Sequence, residues 1–110
     1  MEKLLTPDRR YLIVRGRLWR AANPNLPSDV SATLVHELML ARREVKAAMH
    51  ESNRKRLAKA RAAVHAAKVK LGERGPVWWD DGSRDFNRFL VKNTPYAAWY
   101  QGLDESLTGR

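Results

Sequence analysis

Apolar residues in the first half of the chain recur at intervals of three and four, the period of an α-helix. They stand at positions 30, 34, 38, 41, 45, 48 and 49, within an arc of about 100° on a helical projection. A Pro- and Asn-rich segment, residues 23–27, precedes them, and Ser28 and Asp29 supply the capping chemistry of a helix start. The pattern predicts a first helix from residue 28 to about residue 50.

A second apolar stripe follows a short connection, residues 51–53. Ser52 or Asn53 can cap the second helix, and Gly72 ends it. Two helices joined by so short a turn form an antiparallel αα-hairpin. The stripe consists of Leu57, Ala60, Val64, Ala67 and Leu71. Apolar residues outside the first stripe indicate contacts on two sides of the first helix: Val35, Met39 and Leu40.

The segment before the helices has the composition of a β-hairpin. Two β-rich runs, residues 11–14 and 17–21, flank Arg15-Gly16, and glycine accepts the positive φ that a two-residue turn requires. Alternation along the second run places Arg17 and Trp19 on one face and the residues between and after them on the other. Because an isolated hairpin is only marginally stable, one face must pack on another element.

The C-terminal part, residues 77–100, is aromatic. Asp80, Asp81 or Ser83 can cap a short helix from residue 85 to about 92, and a further helical turn is predicted at residues 96–100. Adjacent side chains point in different directions. One of Trp78 and Trp79 is therefore expected in the core of the αα-hairpin and the other partly exposed, with a similar split between residues 99 and 100.

These elements define a mainly α (α+β) fold. We expect an N-terminal β-hairpin, a long antiparallel αα-hairpin, and an aromatic C-terminal segment with one or two short helices lying across them. With 110 residues the chain is expected to form a single domain over residues 1–110, with flexible ends at residues 1–10 and 101–110.

Composition narrows the classes of function. The formal net charge is +9, and the absence of cysteine excludes disulfides, thiolate nucleophiles and cysteine-ligated zinc. No apolar run reaches the roughly 18 residues that span a bilayer. The N-terminus lacks the apolar stretch of a signal peptide, which favours a cytoplasmic location.

The second helix carries the most informative charge pattern. Seven lysines and arginines and no acidic residue stand between Ser52 and Leu71. Like charges one turn apart repel, so an anionic partner such as a phosphate backbone would relieve the cost. A solvated basic face and an anionic membrane surface are the alternatives. Arginines also alternate with aromatic residues in the hairpin, as on surfaces that bind single-stranded nucleic acid. The candidate nucleic-acid-binding residues from the hairpin and the second helix are therefore Arg15, Arg17, Arg20, Arg54, Lys55, Lys59, Arg61 and Lys68.

Catalytic and metal-binding patterns are weak. His36 and His50 lie about 21 Å apart along one helix and cannot share a metal ion. Asp80, Asp81 and Asp85 could hold Mg²⁺ or act as an acid–base pair, but helix capping and pairing with Arg84 and Arg88 explain them more simply. No phosphate-binding loop, dinucleotide motif or nucleophile elbow is present. We expect no enzyme activity, no metal and no cofactor.

Three segments, residues 14–21 (VRGRLWRA), 70–79 (KLGERGPVWW) and 93–100 (NTPYAAWY), are distinctive in sequence and spacing. The chain resembles, over about residues 8–100, an uncharacterised family of small basic bacterial proteins. The label of a Tol-type biopolymer transporter sometimes attached to such proteins does not fit a chain without an apolar span. The resemblance implies a soluble bacterial protein and carries no mechanism.

The leading hypothesis is a small, cytoplasmic, non-catalytic protein that binds nucleic acid electrostatically. The alternative is a protein–protein adaptor or a homo-oligomeric structural subunit that uses the helical hairpin and an aromatic surface. A small hydrolase built on the aspartate loop is a third hypothesis. The candidate partner-binding residues of the alternative are Trp78, Trp79, Trp99 and Tyr100.

Overall fold

Both predicted long helices are present. The computed structural model describes the backbone of residues 4–108 and the side chains of residues 4–103. Helix α1 spans Ser28–His50 and helix α2 spans Arg54–Leu71. Among the described residues two compact units form: a sheet unit, residues 4–21 and 79–108, and a helical unit, residues 22–78.

The ends of the helices follow the local sequence with one exception. The Asn53 side chain accepts the backbone N–H of Arg56 at 3.1 Å and caps α2. Gly72 ends α2 with a left-handed φ of 91°. At the start of α1, however, the cap residue is Pro27 and no side chain caps the helix, so the expected capping by Ser28 and Asp29 is wrong. The fixed φ of proline already directs residue 28 into the helix, and Asp29 instead lies in the first turn, where its charge favours the helix dipole.

The core of the helical unit is narrow. Its buried cluster comprises Leu34 and Leu38 of α1 and Ala67 and Leu71 of α2. Further along the two helices only alanines are buried, which lets the helix axes approach closely but contributes little apolar area. The predicted stripe is therefore buried in its middle, whereas its first and last members, Val30 and Met49, are exposed.

The predicted hairpin belongs to a three-stranded antiparallel sheet. Strands β1 (Leu4–Leu5), β2 (Tyr11–Val14) and β3 (Arg17–Arg20) lie in the order β1-β2-β3. Arg15 and Gly16 have φ values of 53° and 76°, the two positive values of a type I′ turn. Residues 4–10, part of the segment expected to be flexible, thus supply a strand that is too short to give a periodic signal. The same expectation for residues 1–3 and 109–110 lies outside the described residues.

The segment after the aspartates is not helical. Residues 88–91 lie along the free edge of β3. There the backbone N–H of Leu18 donates to the Phe89 carbonyl at 2.9 Å, and the Leu18 carbonyl accepts the Arg88 N–H at 2.7 Å. The predicted helix over residues 85–92 is therefore wrong, because the Arg88 N–H, the Phe89 carbonyl and the Val91 N–H bond to the hairpin instead of forming helical turns. A short 3-10 turn, Val91–Asn93, and helix α3, Ala97–Thr108, follow. Helix α3 extends well past the predicted turn at 96–100 and into the segment expected to be flexible.

Candidate nucleic-acid interface

The helical unit carries most of the excess positive charge. Between residues 22 and 78 eleven lysines and arginines stand against five acidic residues, a formal charge of +6 of the total +9. Three of the acidic residues, Glu37, Glu44 and Glu51, are spaced by seven. Since seven residues make almost two full helical turns, these glutamates follow one side of α1 and its C-terminal end.

Two of these glutamates, Glu44 and Glu51, neutralise the charge of Arg56. Its guanidinium donates to both carboxylate oxygens of Glu44 and to Glu51. The hydrogen bonds from Arg56 hold the pKa of Glu44 below its usual value. The same contacts raise the pKa of the guanidinium. Arg56 is thus committed to contacts within the chain.

A shallow groove of about 670 Å³ runs between the helices on this side. We call it the groove face. Leu40 and three alanines form an apolar floor, with glutamates on the α1 wall and cations on the α2 wall. Its lining residues are Glu37, Leu40, Ala41, Glu44, Lys55, Arg56, Lys59, Ala60 and Ala63. The predicted nucleic-acid residues Lys55 and Lys59 lie here, beside carboxylates rather than on a purely basic surface.

A second hollow, of about 370 Å³, is lined by Arg42 of α1, Arg61 of α2 and Arg74 of the following loop, with Val45 and Val64 between them. We call this side the arginine face. No acidic side chain among the described residues lines the hollow. Within the same part of the chain Arg42 and Arg61 form no ion pair.

The two faces lie on opposite sides of the helical hairpin. Arg42 follows Leu40 by two residues, and Arg61 follows Lys59 by two, which turns the side chain through about 200° on each helix. Acidic residues of α1 therefore compensate one side and leave the other side basic. Arg54 precedes Arg61 by seven residues and lies on the same ridge of α2.

Arg74 is held at the hollow by a further contact. Its Nη1 lies 3.4 Å from Nδ1 of His65, one turn after Arg61 on α2. Lys68, a predicted interface residue, is half-buried on the same ridge and contacts neighbouring groups. The arginine face is thus assembled from two helices and the loop that follows them.

The arginines predicted from the β-hairpin belong to the sheet unit and differ in environment. Arg15 is exposed in the turn, and Arg17 is exposed while donating to the Arg88 carbonyl. Arg20 is 3% exposed, and its guanidinium donates to Asp85 at 2.9 Å. The assignment of Arg20 to an external phosphate is therefore withdrawn, because its charge is already paired inside the protein.

The predicted aromatic binding surface is largely covered. Trp79 is buried in the sheet unit, edge-on to Tyr11 at 5.8 Å, and its indole N–H donates to the Ser83 carbonyl. This corrects the expectation that the buried tryptophan of the pair lies in the αα-hairpin core. Trp78, Trp99 and Tyr100 are half-buried, so the expected split at residues 99 and 100 is absent. Trp19, 40% exposed, is the tryptophan that faces solvent.

The aspartates of the 80–85 loop hold the sheet unit together. Asp81 accepts from Arg10, which lowers its pKa to about 2, and from the backbone N–H of Ser83. Asp85 bonds Arg20, the Tyr11 hydroxyl and the Asn87 N–H. Their arginine partners are Arg10, which precedes β2, and Arg20 of β3, and not Arg84 and Arg88 as expected. Among the described residues no group of three His or acidic side chains is placed to hold a metal ion.

Sequence reasoning missed Arg42 and Arg74. The available signal for Arg42 was that two series of residues with the same seven-residue spacing differ in charge, one acidic and one without an acidic residue. Glu37, Glu44 and Glu51 form one series, and Val35, Arg42 and Met49 form the other. Arg74 follows a glycine that ends a helix, so its direction is set by the loop and not by a periodic pattern.

Comparison with protein-family models, with curated proteins and with solved structures finds no match to this chain. The resemblance to small basic bacterial proteins therefore stays a prediction. In the part of the chain that the structure describes, no helix combines the length and apolarity needed to cross a bilayer.

Proposed function

We propose that this protein is a non-catalytic nucleic-acid-binding protein that contacts the phosphate backbone through its arginine face. One observation carries the proposal. Three arginines from two helices and a loop line one hollow, and no carboxylate of the described residues lines it with them. Guanidinium groups bind phosphate oxygens in a bidentate manner, which makes converging arginines a suitable phosphate site.

The neighbouring ridge of α2 extends this site. Arg54 and Arg61 are about 10.5 Å apart along the helix, which is about three nucleotide steps of one DNA strand. An extended backbone can therefore contact both while another phosphate occupies the hollow. Such contacts go to phosphates alone, so we expect affinity without sequence preference.

Fluorescence anisotropy with labelled duplex and single-stranded DNA tests the proposal. With four phosphate contacts, from Arg42, Arg54, Arg61 and Arg74, the logarithm of the association constant should fall with the logarithm of salt concentration at a slope of about −3.6. Affinity should then drop roughly 100-fold between about 50 and 200 mM salt.

A charge-matched pair of triple variants locates the surface. Arg42→Gln/Arg61→Gln/Arg74→Gln removes three charges from the arginine face and should reduce the salt slope by about 2.7. Lys55→Gln/Lys59→Gln/Lys70→Gln removes three charges from the other side of α2 and should change the slope little. Equal losses in both would assign binding to net charge alone, and no binding at 50 mM salt would refute the proposal. Circular dichroism checks that each variant stays helical.

A protein partner is the second candidate function. Exposed apolar side chains of α1 favour it: Val35, Met39 and Leu40 are each more than 40% exposed. A chain that fails to bind either DNA at low salt would make this candidate the leading one.

A further inference from the structure

The three-stranded sheet has one covered face and one open face. Tyr11, Leu18 and Arg20 lie on the covered face, and each is at most 3% exposed. Strand alternation places the neighbouring residues on the other face, where Val14 is 48% exposed and Trp19 is 40% exposed. Antiparallel sheets with one solvated face normally carry polar residues on it. An apolar open face therefore has a cause other than the stability of the sheet.

The strand register brings the outward side chains into one patch. Leu5 is paired with Leu12, and Leu12 with Trp19, so these three residues form a row across the sheet. Val14 and Arg17 form the next row. We call these five residues the open sheet face. Leu12 is half-buried at the centre of its row, whereas Leu5 and Trp19 are exposed at its two ends.

Trp19 differs in its contacts from the buried tryptophan of the same unit. The indole N–H of Trp79 donates to the Ser83 carbonyl, and the Trp79 ring contacts Tyr11 edge-on. Among the described residues Trp19 forms neither a hydrogen bond through its indole nor a contact with another aromatic ring. Its ring is therefore open to a ligand.

The charge of the open sheet face selects an anionic ligand. The described residues of the three strands include no acidic side chain. Arg17 lies two positions before Trp19 on the same face, and Arg15 lies in the adjoining turn; both are exposed, and neither forms an ion pair with a described residue. An aromatic ring beside arginines can stack a nucleic-acid base while the cations attract its phosphates. Bases in a duplex are already stacked on one another, so an unpaired base is the ligand that fits.

The size of the open sheet face separates a base from a protein partner. Three strands spaced by about 4.8 Å, each about four residues long, cover roughly 190 Å². A standard stable protein–protein interface covers about 800 Å² on each partner. The open sheet face is therefore too small for a stable protein partner, whereas it is large enough for one or two bases.

We infer that the open sheet face binds an unpaired base of single-stranded nucleic acid, which stacks on the indole ring of Trp19. The inference rests on the proposed function, because it takes the ligand to be a nucleic acid, and it deepens that function by selecting single strands. It uses no residue of the arginine face. Because any base can stack, no sequence preference is expected from this contact.

Two oligonucleotides with the same phosphates separate stacking from charge. One is a dT strand of about ten nucleotides, and the other is an abasic strand of the same length, which lacks the bases. In fluorescence anisotropy, wild-type protein should bind the dT strand at least about fivefold more tightly, the lower limit for stacking one base on an aromatic side chain. Equal affinities for the two strands would overturn the inference, and this comparison needs no variant.

Variants of the open sheet face assign the difference to Trp19. Trp19→Leu keeps an apolar side chain without the ring and should make the two affinities equal, whereas Trp19→Phe should retain most of the difference. Val14→Ala is the matched control, since Val14 is exposed on the same face and has no ring. A difference that survives in Trp19→Leu, or that is lost equally in Val14→Ala, would overturn the inference. Circular dichroism checks that each variant is folded.

The arginine face gives a separate result with the same two strands. Arg42→Gln/Arg61→Gln/Arg74→Gln should weaken binding of both strands by the same factor and leave the ratio of their affinities unchanged. If this variant binds like wild type while Trp19→Leu loses the difference, the proposed function fails and the inference stands. If the variant binds weakly while wild type does not distinguish the strands, the inference fails and the proposed function stands.

Discussion

The sheet unit and the helical unit use arginine in opposite ways. In the sheet unit the Arg10 guanidinium bonds Asp81, and its Cζ lies 4.7 Å from the centroid of the Trp79 ring. Arg20 is buried and forms an ion pair with Asp85. In the helical unit Arg42 and Arg61 line a surface hollow without a carboxylate among the described lining residues. The difference lies in the supply of nearby acidic groups, and it separates arginines that stabilise the fold from arginines open to a ligand.

The two units also differ in how they are packed. The sheet unit has an aromatic core, in which Tyr11 contacts Trp79 and Tyr96 edge-on and donates to Asp85. The helical unit buries three leucines, Leu34, Leu38 and Leu71, at one end and only alanines along the rest. Substitutions in the first should therefore affect stability, and exposed substitutions in the second should affect binding.

The largest expected effect is that of Asp85→Ala. Arg20, whose side chain is 1% exposed, would lose its ion pair with Asp85. Breaking a buried pair costs about 3–5 kcal/mol, and the partial exposure of Asp85 places the expected loss near 3 kcal/mol. Urea unfolding followed by tryptophan fluorescence measures it, since Trp19, Trp79 and Trp99 belong to the sheet unit.

Arg61→Met is the matched control from the other unit. It removes an exposed arginine without an ion pair among the described residues, so stability should change by less than about 0.5 kcal/mol. A loss below about 1 kcal/mol for Asp85→Ala, or a comparable loss for both, would remove the proposed distinction between the two kinds of arginine.

A smaller contrast is expected between two glycines with positive φ. At Gly72 an added Cβ would lie 2.9 Å from Cδ1 of Trp78 and 3.2 Å from Cβ of Asn23, whereas at Gly16 nothing lies within 4 Å. Gly72→Ala should therefore cost about 3 kcal/mol, from backbone strain and overpacking, and Gly16→Ala about 1 kcal/mol from strain alone. Thermal unfolding monitored by circular dichroism compares them. Equal costs would mean that Trp78 moves away freely.

A further prediction is that Tyr11→Phe costs about 1–2 kcal/mol at neutral pH, because the Phe86 N–H and Asp85 lose the buried hydroxyl. Burial raises the pKa of Tyr11 to about 12, against about 10 in an unfolded chain. The neutral phenol therefore stabilises the fold fully below about pH 10, and this contribution is lost as the pH rises through about 12.

Unfolding midpoints measured at several pH values between about 9 and 12 test whether stability falls as Tyr11 ionises. Wild type should lose more stability over that interval than Tyr11→Phe, which cannot ionise at this position. Part of the loss should persist in the variant, because burial and the hydrogen bond to Asp8 also raise the pKa of Tyr96. Parallel curves of stability against pH for the two proteins would mean that the ionisation of Tyr11 does not cause the difference.

Local signals were sufficient for the helices and the hairpin. The bounds of α1, the Gly72 stop and the Arg15-Gly16 turn depend on groups within about four residues of one another, so the sequence predicts them directly. The cap of α2 is narrowed to Ser52 or Asn53, and only the capping chemistry at the start of α1 is wrong. The same local reasoning failed at residues 85–92, where the backbone bonds to a strand some 70 positions earlier.

The sequence by itself therefore determined the helical hairpin, the β-turn and a basic second helix. Only the tertiary structure decided which arginines remain open to a ligand. Arg20 meets Asp85 across 65 positions, and Arg42, Arg61 and Arg74 converge from three segments. Periodicity specifies the side of an element on which a residue lies, whereas charge compensation depends on which other element packs against that side. That second condition is a property of long-range packing and leaves no short-range pattern in the chain.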